Sequence, residues 1–168
     1  MTKRILFIIA SAVLCLHYLQ AQKLSVQLSS VNKNHTQFIC VRITNVSSEN
    51  IFIYSNGYID ANGVVVRAGC SNIQIDAYDN QNRVLCTSEI RPLSNPDEIG
   101  VRVINLSPGQ NHVLEIQLYS QVGSLGLFDA TNNLMTSIVA NIDLRYKTSS
   151  MSDYERLKIS SPALNLNN

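Results

Sequence analysis

Ile138-Val139-Ala140-Asn141-Ile142-Asp143-Leu144-Arg145-Tyr146 alternates apolar and polar residues almost without a fault. Successive side chains of an extended strand point to opposite faces. The run therefore offers Ile138, Ala140, Ile142, Leu144 and Tyr146 to a core and Asn141, Asp143 and Arg145 to water. The same two-residue period recurs upstream. Leu24, Val26 and Leu28 alternate with Ser25, Gln27 and Ser29; Ile39, Val41 and Ile43 with Cys40, Arg42 and Thr44; and Leu114, Ile116 and Leu118 with Glu115, Gln117 and Tyr119. No comparable stretch keeps apolar residues at helical spacing.

Turn residues separate these runs. Asn62-Gly63 before Val64-Val65-Val66 predicts a short hairpin, because both residues tolerate positive φ. Asp79-Asn80-Gln81-Asn82 predicts a second turn, and Ser107-Pro108-Gly109-Gln110 a type II turn with Pro and Gly at its centre. The prolines of Arg91–Asp97 predict a loop or sheet-switching corner, and Ser120–Leu134 a long loop carrying one helical turn. The tail Ser160–Leu166, weakly alternating around Pro162, predicts an edge strand. Eight or nine short strands, each apolar on one face, call for an all-β fold of two packed antiparallel sheets, a β-sandwich.

The first residues follow another rule. Lys3 and Arg4 precede an apolar run from Ile5 to Leu16, and Leu19-Gln20-Ala21 leads into polar sequence. A dozen apolar residues suit a signal peptide and fall short of the roughly 20 that span a membrane. The expected organisation is a signal peptide over 1–21 and one sandwich domain over 22–168, exported to the periplasm, the cell surface or the medium. Leu14 before Cys15 disfavours a lipoprotein leader, whose cysteine follows a small residue. The chain has 168 residues and a net charge of +1, which becomes −1 once Lys3 and Arg4 are removed. This balance gives no basic surface for nucleic acid. Charged residues are only 15% of the chain, while Asn occurs 18 times, so amides and hydroxyls supply the polarity.

Ile43-Thr44-Asn45, Leu106-Ser107-Pro108-Gly109, Leu114-x-Ile116-x-Leu118 and Ile142-x-Leu144-Arg145-Tyr146 give the chain a resemblance to immunoglobulin-like β-sandwich proteins of small exported bacterial type. Its leader is similar to those of Bacteroidetes-type bacteria. The resemblance implies a scaffold that hosts adhesins, inhibitors, lectins and assembly factors, and no particular activity. The chain departs from antibody domains in having no Trp and no strand-B to strand-F cysteine spacing.

Candidate chemistry is sparse. Cys40, Cys70 and Cys86 are an odd set; Cys70 and Cys86 are the disulfide candidate, with Cys40 reduced and packed, and three thiols are the alternative. Asp76, Asp79, Asn80 and Asn82 gather oxygen ligands, yet lack the glycine and glutamate of a calcium loop and read as a turn. His35 and His112 have no metal-ligand spacing, and Asp97-Glu98 beside Pro96 reads as a solvated loop. Tyr54, Tyr58, Tyr78 and Tyr119 are a possible binding surface or half-buried strand positions. Asn34-His35-Thr36, Asn45-Val46-Ser47 and Asn105-Leu106-Ser107 match the glycosylation sequon. No residues are assigned to catalysis, a metal or a cofactor. The expected function is a non-enzymatic binding module that meets a protein or cell-surface partner through edge strands or the loops at 55–63, 91–98 and 120–134. A secreted hydrolase, or a hydrolase subunit, and a carbohydrate-binding module are the alternatives.

Overall fold

The computed structural model describes residues 23–55, 58–59, 65–66, 71–90, 101–120, 128–129 and 134–166. Every regular element among them is a strand, and no helix occurs. Nine strands have four residues or more: β1 (Leu24–Lys33), β2 (Thr36–Asn45), β3 (Ile51–Tyr54), β6 (Asn72–Tyr78), β7 (Val84–Ile90), β8 (Val103–Leu106), β9 (Asn111–Gln117), β12 (Ser137–Thr148) and β13 (Glu155–Ser160). Five two-residue strands are the other elements of the described residues: β4 (Tyr58–Ile59), β5 (Val65–Val66), β10 (Tyr119–Ser120), β11 (Phe128–Asp129) and β14 (Leu164–Asn165). β4 and β5 pair antiparallel, as the Asn62-Gly63 signal predicts, although that turn lies outside the described residues. The leader, the corner at 91–97 and the helical turn expected within 120–134 also lie outside them.

Two antiparallel sheets carry the fold, one of three strands in the order β1-β2-β9 and one of seven built around β12. The long alternating run occupies β12 and is its centre. One edge of β12 holds two strands in succession: β6 pairs with Ser137–Asp143 and β3 with Arg145–Thr148. The other edge holds β14 at Ser137–Ile138 and β13 at Asn141–Tyr146. β7 extends β6, and β8 extends β3, so the sheet forks along one side.

Ser71 fills the fork. It is fully buried; its hydroxyl donates to the Tyr54 carbonyl at 2.7 Å and accepts the Arg145 amide at 2.9 Å. A side chain thus supplies the ladder bonds that no strand can make where β3 ends and β6 begins.

The apolar faces of both sheets meet in one core. Leu24, Val26, Ile39, Val41 and Ile43 come from the smaller sheet, and Ile51, Ile53, Ile73, Ile75, Ile138, Ile142 and Leu144 from the larger. A fully buried Ile or Leu contributes about 1.5–3 kcal/mol, so this face dominates stability.

Asn45 fastens two of the places where the chain changes sheets, β2 to β3 and β8 to β9. Its Nδ2 donates to the carbonyls of Glu49 at 2.7 Å and Leu106 at 2.8 Å, while its Oδ1 accepts the Ser47 amide at 2.9 Å. Its backbone amide bonds the Gln110 carbonyl, and its carbonyl accepts the Gly109 amide. The β2–β3 and β8–β9 connections therefore converge on one buried amide. Gly109, at φ 77, and the bond from the Gln110 amide to the Ser107 carbonyl make the expected type II turn.

Candidate functional site

The outward face of the larger sheet carries a built polar surface. On β6, Asn72, Gln74 and Asp76 alternate with the core residues Ile73 and Ile75, so they face away from the core. Register places them beside Asp143, Asn141 and Val139 of β12, and β13 brings Lys158 and Ser160 to the far side of that strand. Asp76 is the anchor. It is only 7% exposed and accepts from Gln74 Nε2 at 2.9 Å, Thr87 Oγ1 at 2.7 Å and Asn141 Nδ2 at 2.6 Å. Ser160 Oγ donates to Asn141 Oδ1 at 2.6 Å, and Asn72 Nδ2 donates to Glu89. Asp143 receives Arg156 Nε at 2.6 Å and a second bond from the same guanidinium, which holds its carboxyl below the ordinary range. Between these side chains lies a groove of about 230 Å³, lined by Asn72, Gln74, Asn141, Asp143, Lys158 and Ser160 over Ile142 and Ile159.

An aromatic cluster stands beyond the Asp143 end. Tyr54 of β3 lies opposite Arg145, and its ring meets that of Tyr154 with centroids 6.0 Å apart. The Arg145 guanidinium sits 5.4 Å from the Tyr154 ring centroid. Arg145 is two residues from Asp143, about 7 Å along the strand.

The four tyrosines read from the sequence do not form one row. Tyr54 and Tyr78 share the outward face but sit opposite Arg145 and Ser137, about 26 Å apart along β12. Tyr119 packs against the core, and burial raises its phenol pKa. The Tyr58 side chain lies outside the described residues. Tyr154, which no strand pattern marks, joins Tyr54 only because β13 folds back on β12.

A second surface is the edge of the smaller sheet. β1 pairs with β2 through ten consecutive residue pairs, and among the described residues no strand pairs with its other edge. Antiparallel strands alternate hydrogen-bonded and non-bonded pairs. The Val46 amide bonds the Lys23 carbonyl, so the odd-numbered residues of β1 face β2. Leu24, Val26, Leu28, Ser30 and Asn32 consequently turn their peptide groups outward. The strand has neither proline nor bulge, and its one charge, Lys33, is at the end, paired with Glu115.

The remaining candidates are structural or dispersed. Cys40 is a reduced, buried thiol. It lies on the opposite face of its sheet from Ile43 and His112, which are cross-strand neighbours, so the sheet separates that thiol from that imidazole. Cys86 sits on β7 opposite Ala77; Cys70 lies outside the described residues, and the proposed bridge with it. Asp97 and Glu98 also lie outside them. His35 is exposed at the β1–β2 turn, where it and Asn34 take φ of 63° and 48°. Asp79 is occupied by its own turn: Oδ1 accepts the Gln81 and Arg83 amides at 2.8 and 2.9 Å, and Oδ2 the Arg83 guanidinium at 2.7 Å. Among the described residues no three His, Cys, Asp or Glu side chains gather as a metal site. Of the sequon asparagines, Asn45 is fully buried, whereas Asn34 and Asn105 are exposed.

No protein-family model matches the chain, and no curated protein matches it. Among solved structures it is similar to a Bordetella pertussis protein given the name ApaA, at 12% identity and a TM-score of 0.41 over 84% of this chain and 89% of that one. It is also similar to a penta-heme cytochrome c552 of Thermochromatium tepidum, at 8% identity and 0.41 over 89% of this chain and 41% of that one. A third is the structural-genomics target SoR45, at 9% identity and 0.40 over 85% and 83%. Likeness at this level transfers no function. No helix among the described residues is long and apolar enough to cross a membrane, which leaves the β-barrel question untouched.

Proposed function

We propose that the chain is an exported, non-enzymatic binding module of immunoglobulin-like type, which takes an extended segment of a protein or cell-surface partner along the free edge of β1. The observation that carries this reading is the edge itself, ten residues long and continuous in register. Natural sheets blunt such edges with prolines, bulges, central charges or very short strands, because exposed peptide groups recruit further strands. Two edges of the larger sheet follow that practice: β7 is bulged against β6 between Ala77 and Tyr78, and β8 has four residues. Among the described residues β1 is left open, which suits strand addition, where main-chain bonds give affinity and alternate side chains give selectivity.

Ser30→Pro is the test. Ser30 is exposed and turns its amide away from β2, so proline removes an outward donor while sparing the β1–β2 ladder. A partner captured by the protein from the native envelope fraction is expected to slow exchange of the Val26, Leu28 and Ser30 amides and to lose binding to Ser30→Pro. A partner that binds the variant equally well would overturn the edge reading.

A further inference from the structure

We infer that the groove on the outward face of the larger sheet is a binding site for a neutral saccharide chain. The inference rests on reading the protein as a binding module, and on a surface separate from β1. Its basis is the direction of the hydrogen bonds. Gln74 and Asn72 each commit an NH2 group to a carboxylate, Asp76 and Glu89 respectively, which leaves their carbonyl oxygens for the groove. Asn141 gives its NH2 to Asp76 and its carbonyl to Ser160, so the serine hydroxyl turns its lone pairs outward. The floor therefore presents three oriented acceptors: Asn72 Oδ1, Gln74 Oε1 and Ser160 Oγ. Lys158 adds donors at the rim.

A run of acceptors matches a ligand rich in O–H donors, and an ammonium matches a hydroxyl or ring oxygen. Charge favours a neutral ligand. Asp143 is paired with Arg156, and the Lys158 ammonium at the rim offsets the Asp76 carboxylate, so neither sign dominates the groove. Tyr54 and Tyr154 extend the surface with apolar ring area, on which the C–H face of a further sugar unit rests. The amides are ordered before any ligand arrives, which lowers the entropy cost of binding.

The experiment uses the purified protein with neutral hexasaccharides (maltohexaose, cellohexaose, xylohexaose, mannohexaose and chitohexaose) and with oligogalacturonate as the acidic control, read by calorimetry and by NMR of the side-chain amides. At least one neutral hexasaccharide is expected to bind with a Kd of about 1 mM or tighter and to shift the Gln74 and Asn141 NH2 signals. Gln74→Ala and Ser160→Ala are each expected to weaken it at least tenfold. Gln74→Met, which keeps the length and removes the carbonyl, serves as a second variant; both changes at Gln74 fall on an exposed side chain. Failure of every neutral sugar, binding of the acidic control alone, or binding unchanged in the variants would each overturn the site. Ser30→Pro is expected to leave the sugar affinity unchanged, so loss of this site and loss of the β1 edge are read separately.

Discussion

Asn45→Ala tests whether one buried amide holds the two sheet crossings together. The residue is fully buried, and its Nδ2 satisfies the Glu49 and Leu106 carbonyls. Deleting a donor to a buried carbonyl costs about 1–3 kcal/mol, and two are lost here together with the bond to the Ser47 amide. Partial relaxation toward water lowers the sum, so about 3–4 kcal/mol is expected, a large part of the 5–15 kcal/mol typical of a domain. With an unfolding entropy near 2.1 cal/mol/K per residue over about 145 residues, that is a fall in Tm of about 10 °C. The chain has no Trp, so urea and thermal unfolding are best followed by far-UV circular dichroism. Asn45→Asp sharpens the test by replacing the donor with an oxygen facing two carbonyls. Its carboxyl pKa is therefore raised by the fold. This variant is expected to be less stable than Asn45→Ala at pH 7 and to regain stability as the pH falls through that raised value. A loss below about 1 kcal/mol for Asn45→Ala would refute the reasoning, because ordinary surface changes cost that little.

Ser71→Ala, which strips the fork of its hydroxyl, is expected to lose about 2 kcal/mol in urea unfolding, with Ser71→Thr intermediate. Bonds from Arg156 and from the Arg83 backbone lower the folded pKa values of Asp143 and Asp79 from an ordinary 3.8. The stability they supply is complete above that value and is lost as pH falls from it through the lowered folded values. The unfolding midpoint should therefore drop below about pH 4, less steeply in Asp143→Asn. In the isolated protein, amide exchange along β1 should alternate, slow at Ser25, Gln27, Ser29 and Val31 and fast at Val26, Leu28 and Ser30; uniform protection would disprove the free edge.

What the sequence discloses here follows the range of each interaction. Alternation is local, so β12, β2 and β9 and their buried faces are legible residue by residue. The type II turn is legible for the same reason, since Pro108 and Gly109 state their own φ preferences. The fork is not, because β3 and β6 share one edge of β12 through pairings between Ser137 and Tyr78 at one end and Thr148 and Ile51 at the other, far apart in the chain. Asn45-Val46-Ser47 reads as a sequon, and only tertiary structure reveals that its amide is buried under two crossings. The polar site is half legible. Asn72, Gln74 and Asp76 alternate with apolar residues and announce an outward face, but nothing local says that Asp76 will collect Thr87 and Asn141. The tyrosines fail as a set because parity fixes a residue's face and not its distance along the sheet.

The ordering of that outward face exceeds what stability requires. Exposed and half-exposed polar pairs contribute about 0–1 kcal/mol each, whereas every fully buried Ile of the opposite face contributes about 1.5–3. The inner faces of β6 and β12 would hold the sheet with almost any outward polar residues. Yet Asn72, Gln74, Asn141 and Ser160 are oriented by directional bonds that converge on buried Asp76 and on Glu89, which leaves the acceptors of Asn72, Gln74 and Ser160 for the groove. A buried carboxylate is costly unless its donors are complete, and Asp76 has three. An arrangement that contributes little to folding and depends on a costly anchor is best accounted for by what it positions. That is why the outward face, rather than the dispersed thiols and histidine, is the place to seek a ligand.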